Sequence, residues 1–368
     1  MAKEKSFKSQ YYKDYLGLNK ILDSQNLISD EFDQHAHDEM LFIITHQVYE
    51  LWFKQIIYEL DSILKMFSLK NVDESNIGTS ISRLNRIIEI QKILVDQIRV
   101  LETMTPMDFL DFRDLLVPAS GFQSVQFRKI ENKLGLLSEK RYSYGGENYK
   151  SYLNKIDNKE VQKSEDGNSL FVLIEKWLER TPFLDWGKTS FWKEYETAVK
   201  KMLSDDRAII ETNKKLSDNE KKKYLNEYKK TEKSFGVVLN EKEHSKLVES
   251  GSWRLSYKAT QAALLILLYR DQPILHNPYL LITKLADVDE LFTTWRYRHV
   301  LMVSRMIGKK IGTGGSTGSS YLSETAQKHR IFSDLSELTT FLIPRSALPE
   351  LPKEIKDELN FYFHVREK

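Results

Sequence analysis

The chain contains no cysteine. That absence excludes disulfides, thiolate nucleophiles, Cys-ligated zinc and iron–sulfur clusters, and it suits a reducing cytoplasm. Glycine (15) and proline (8) are scarce among 368 residues, so little interrupts the helical periods. No linker or internal repeat marks a domain boundary. A formal charge of +2 gives neither nucleic acid nor an anionic membrane an electrostatic footprint. Charged residues break every apolar run before it reaches bilayer length, and the opening MAKEKSFKSQYY lacks the apolar stretch of a secretory leader. The expectation is a cytoplasmic, all-α protein with one domain over 1–368. That domain is a large helical bundle with a smaller charged insertion at about 193–250.

What is abundant is helical periodicity. In HDEMLFIITHQVYELWFKQIIYELDSIL (37–64), Phe42, Tyr49, Phe53, Ile56, Leu60 and Ile63 recur at three- and four-residue steps, a helix period. His46 falls on the same stripe. A second long helix is expected at about 77–103. Thr105, Pro106 and Asp108 carry a capping-box start, and the helix they open is expected to run to Pro118. From 119 a small-residue turn leads into another helix, which stops at Gly135. The polar stretch 138–169 reads as an extended surface excursion, and the Lys/Glu-rich 193–250 as a solvated helical hairpin. Helices at 169–180, at 253–273 (closed by Pro273) and at about 287–308 complete the core.

Three residues stand out chemically. His299, with Trp295 one turn before it and Met302, Val303 and Met306 after it, repeats the His46 pattern: an imidazole on an apolar helix face. Each is either a satisfied core histidine or a ligand. Two of them on separate helices suit a site with apolar walls, such as haem requires. No HxxxH or HExxH pair supports zinc, and His35 and His37 read as a polar helix cap. Arg113 leaves a largely apolar face between Phe109 and Leu116. It either snorkels and pairs with Asp111 or Asp114, or clamps a small carboxylate. The glycine-rich 312–318, GTGGSTG, fits neither a Walker loop nor a dinucleotide fingerprint. It is a flexible connection or a lid that offers N–H groups and hydroxyls.

Taken together, HDEMLFIITHQVYELWFKQIIYELDS, FLDFRDLLVPASGFQSVQFRKIENKLG, LERTPF, TWRYRHVLMVSRMIG, GTGGSTGSSYL and FLIPR resemble the tryptophan 2,3-dioxygenase family over nearly the whole chain. The likeness is weakest in 138–169 and 193–250. It implies a haem b enzyme, ferrous when active, and an all-helical homotetramer that converts L-tryptophan and O2 to N-formylkynurenine. By motif, His299 resembles the iron ligand, with Trp295 and Ser120 at the haem, and His46 resembles the distal histidine facing the indole N–H. Phe42, Phe109 and Leu116 are implied in the indole pocket, Arg113 at the α-carboxylate and Thr313 at the amino acid's polar end. Tyr12 and Tyr15 match tyrosines donated to a neighbouring subunit. One departure is GGSTG where the family commonly has GGSSG; Thr317 keeps the hydroxyl.

Overall fold

The structure is a computed structural model that describes residues 9–141, 149–310, 312, 324–326 and 328–361. Three long helices form its frame: His37–Phe67, Glu74–Leu101 and Pro273–Ile307. At about 1.5 Å rise per residue, the last extends roughly 50 Å. The all-α expectation holds: among the described residues the regular elements are helices, with one isolated bridge between Asp185 and Ser190. No helix among these residues is long and apolar enough to cross a membrane.

The apolar stripe of the sequence becomes the core. Ile56, Leu60 and Ile63 lose all solvent contact and pack with Leu84, Ile87 and Leu94 and with Leu281, Leu285 and Val288. Each such side chain contributes about 1.5–3 kcal/mol by burial. Buried polar ties fix the helices in register. Tyr49 Oη donates to the Leu94 carbonyl at 2.7 Å, and Gln91 Nε2 to the Val288 carbonyl at 2.9 Å. Glu59, fully buried, accepts from Arg86 at 2.7 Å and Arg83 at 3.2 Å.

Three boundaries differ from the sequence reading. The helix opened by the Thr105–Asp108 capping box ends at Arg113 and continues as a 3-10 turn, Asp114–Leu116. The turn expected from 119 is present as a 3-10 turn, Gly121–Gln123, and the helix after it runs over Val125–Leu134 to Gly135. The stretch 138–169 is no extended excursion in its described part: Lys155–Glu165 is a helix on Val125–Leu134, and Tyr149, Leu153 and Val161 are buried. Pro273 closes nothing; it is the first residue of the 35-residue helix Pro273–Ile307, which the sequence reading began at 287. Proline suits a first turn because the N–H it lacks has no partner there. The Lys/Glu-rich segment forms Phe191–Thr212, Asp218–Leu239 and Glu241–Glu249. Phe191, Tyr195, Val199, Phe235 and Val238 root it in the main core.

Candidate active site

The frame encloses a cavity of about 310 Å³, within the range of small-molecule and cofactor sites. One wall is a single face of the His37–Phe67 helix, with Phe42, His46, Tyr49, Glu50 and Phe53 in successive turns. The facing wall comes from Pro273–Ile307, with Trp295, Arg296, His299, Met302, Val303 and Met306. Phe109 and Arg113 close one end, and the turn Ser120–Ser124 leads into Phe127, Arg128 and Glu131.

His46 Nδ1 lies 2.7 Å from the Phe42 carbonyl oxygen. A carbonyl only accepts, so Nδ1 carries the hydrogen, and Nε2 on the far side of the ring is a bare acceptor. Much of the His46 surface is accessible, yet His46 lines the cavity and its remaining sides are enclosed by protein. That desolvation lowers its pKa against the backbone bond to Phe42 and the charge of Glu50, which raise it. His299 is pushed down further, to about 4, by burial first and then by its proximity to His46. Both imidazoles are therefore neutral at physiological pH. Trp295 stacks on His299 at 5.5 Å and 21°, which fixes the ring orientation. Behind His46, Phe42, Phe109 and Phe112 make an aromatic corner, with Phe42 and Phe109 stacked 5.8 Å apart and Phe109 edge-on to Phe112 at 5.4 Å.

The family model for tryptophan 2,3-dioxygenase matches residues 1–342. The chain is 51% identical over 353 residues to the tryptophan 2,3-dioxygenase of Bdellovibrio bacteriovorus, covering 96% of this chain and 98% of that protein. It is 48% identical over 359 residues to the one of Dictyostelium discoideum, covering 97% and 90%. The chain belongs to the tryptophan 2,3-dioxygenase family.

For a tryptophan 2,3-dioxygenase family member, the structure brings most of the expected site residues together. Phe42, His46, Phe109, Arg113, Ser120, Trp295 and His299 all line the one cavity. Leu116 does not; it packs behind the aromatic corner, in the cluster of Phe42, Phe109 and Phe112. Arg113 also pairs with Asp114, Nη1 to Oδ1 at 2.8 Å, so the pairing and the cavity position coexist. Tyr12 and Tyr15 sit on the short helix Tyr12–Leu16, exposed at 71% and 73%. Thr313 lies outside the described residues, while Gly312 beside it reaches the cavity. His35 bonds Asp30 at 2.6 Å on the surface, but the expected polar cap is not made: the helix that begins at His37 has Ala36 as its N-cap and no side-chain cap bond.

Five charged or histidine lining residues escaped the sequence reading. Glu50 accepts from Ser124 Oγ at 2.6 Å and Gln126 Nε2 at 2.8 Å; its place one turn after His46 was a usable signal. Arg296, one turn before His299, was another. Arg128 and Glu131, three apart on Val125–Leu134, share a helix face. His329 gave no local signal, because only the return of the chain brings it to the cavity.

Proposed function

We propose that the cavity binds haem b with His299 as its iron ligand, and that the protein opens the L-tryptophan indole across C2–C3 with O2 to give N-formylkynurenine. The observation that carries this reading is a pair of neutral imidazoles, on two different helices, at one largely apolar cavity. The donor set fits the group: His299 keeps its nitrogen lone pair down to a pH of about 4, and Phe53, Phe127 and Met302 offer apolar surface to a tetrapyrrole. Among the described residues no three His, Cys, Asp or Glu converge as a metal cage; of the cavity's imidazoles, His299 is the one this reading gives to iron, with Trp295 stacked on its ring. Bound there, haem supplies the ferrous centre through which O2 reacts.

The chain's own residues do the positioning. Phe42 and Phe109 hold the indole, and His46 Nε2 accepts its N–H. An indole N–H is a very weak acid and His46 a weakened base, so this bond orients the ring without removing the proton. Arg113 is suited to grip the α-carboxylate, two parallel N–H donors to two oxygens, and Thr313 the polar end beside it. Holding both ends of the substrate replaces an encounter with a near-attack arrangement, an effect of several kcal/mol. Both oxygen atoms stay in the product, so no reductant is consumed.

The surface supports assembly. Ile44, Leu51 and Tyr58, at seven-residue spacing on the His37–Phe67 helix, are exposed, as are Tyr297 and Leu301 on Pro273–Ile307. Apolar helix faces of this kind suit burial against other copies of the chain. The reading is a cytoplasmic homotetramer in which Tyr12 and Tyr15 reach a neighbour's cavity. The test is an absorption spectrum of purified protein with and without L-tryptophan under air, followed by product analysis. A haem band that shifts on adding tryptophan, with N-formylkynurenine formed, is expected; a colourless or unresponsive protein contradicts the reading.

A further inference from the structure

One end of the cavity is strongly polar. Arg128, Glu131, Arg296 and His329 line it, and Arg141 stands directly behind. Glu131 is buried and held ionised well below the usual carboxylate range by the surrounding guanidiniums, Arg141 foremost, against the cost of burial. Its two oxygens are already fully engaged. Oε1 takes Arg296 Nη2 at 3.0 Å and faces His329 Nδ1 at 3.5 Å, while Oε2 takes Arg128 Nη1 at 3.0 Å and Arg141 Nη1. Asp289 accepts the Ile331 N–H through Oδ1 at 2.7 Å and faces Arg330 through Oδ2 at 3.5 Å; Oδ2 has no hydrogen-bond partner among the described residues, and the charge of Asp289 also acts on Arg296. Among the described residues, Arg128, Arg141 and Arg296 thus share Glu131 as their ion-pair partner.

Buried charge is costly unless it is paired; Asp289 and Glu165 act on Arg296 and Arg141 through space without an ion-pair contact to them. Water reaches little of the cluster: Arg128 and Arg296 are 6% and 5% exposed, and Arg128 Nε has no hydrogen-bond partner among the described residues. Both guanidiniums are held in place. Arg128 lies over the Tyr149 ring at 5.4 Å, and Arg296 lies 5.9 Å from each of the Phe127 and Phe292 rings. A fixed, cation-rich end on a largely apolar cavity is what an apolar ligand carrying an acidic group requires.

We propose that Arg128 and Arg296, preset by Glu131, receive a carboxylate of the haem, so that the cofactor is oriented by charge as well as held through iron. This rests on the haem reading above. Arg113, also on the cavity wall, remains the partner of the amino acid.

The experiment titrates haem-free protein with haem and with its dimethyl ester, followed by absorbance, in wild type, Arg128→Met and Arg128→Lys. Charge-assisted hydrogen bonds imply that wild type favours the free acid by about 10- to 100-fold. Arg128→Met is expected to bring that preference towards unity through weaker binding of the acid alone, and Arg128→Lys to retain part of it. Unchanged ester binding shows that Arg128→Met is folded; should that variant fail to fold, the wild-type preference still reads the contact. Equal binding of acid and ester by wild type overturns the proposal and leaves haem binding intact. So does a preference that survives in Arg128→Met. Failure of wild type to bind either porphyrin overturns the haem reading itself.

Discussion

His46 Nδ1 and the Phe42 carbonyl, 2.7 Å apart, decide the chemistry of the distal wall, because the backbone oxygen takes the only ring hydrogen of a neutral imidazole. A histidine locked in this tautomer accepts from a substrate N–H and donates nothing to it.

The first prediction concerns substrate N-methylation. Wild type should discriminate against 1-methyltryptophan, which has no indole N–H. In His46→Ala the part due to the hydrogen bond disappears, so the ratio of kcat/KM for the two substrates should fall by about 2- to 10-fold, the weight of one neutral hydrogen bond. Full discrimination retained in His46→Ala assigns the selectivity to pocket shape instead.

Arg113→Ala should act on binding. Loss of a charged partner for a carboxylate costs about 2–4 kcal/mol, which raises KM for tryptophan by roughly 30- to 1,000-fold. Asp114, one partner of Arg113, is 85% exposed at its side chain, and such surface pairs contribute about 0–1 kcal/mol. Asp114→Asn should therefore leave KM within a few-fold of wild type. A wild-type KM in Arg113→Ala removes the clamp from the account.

The N-terminal tyrosines give a third expectation. Tyr11, Tyr12 and Tyr15 have more than two-thirds of their surface exposed on this chain. Removal of residues 1–16 should lower turnover while haem content stays normal, if these rings complete a neighbour's site. Undiminished turnover in the truncated protein, measured per haem, would place them outside catalysis.

Acid sensitivity follows from the two depressed imidazoles. In the unfolded chain each titrates near 6.5, and in the folded haem-free protein His299 titrates at about 4. Between those values the unfolded chain binds more protons, so the folded state loses stability as pH falls from about 6.5 towards 4, and keeps it in full above that window. Tm of the haem-free protein measured from pH 7 to 4 should fall, and His299→Leu should show a shallower fall. An identical slope in the variant contradicts the burial of a neutral His299.

The parts of this site legible in the sequence were those that local period writes. His46 and Phe42 share a turn, as do His299 and Trp295, so each pair was assigned to one helix face before any packing was known. Thr105 and Asp108 form the expected capping box. Packing between distant segments was not legible. Three apolar anchors, Tyr149, Leu153 and Val161, sufficed to dock a stretch whose composition is otherwise that of a surface loop. Pro273 reads equally as a stop or a start, and only the length of the following helix distinguishes them. Glu131 and Arg296 stand 165 positions apart, and no local pattern predicts that one carboxylate will gather three guanidiniums.

The central claim is that His299 carries the iron and His46 guards the opposite side. Haem content per chain, measured by absorbance in wild type, His299→Ala and His46→Ala, tests it most directly. The account predicts about one haem per chain in wild type, almost none in His299→Ala, and near wild-type content with reduced turnover in His46→Ala. Full haem content in His299→Ala, or its loss in His46→Ala alone, contradicts it.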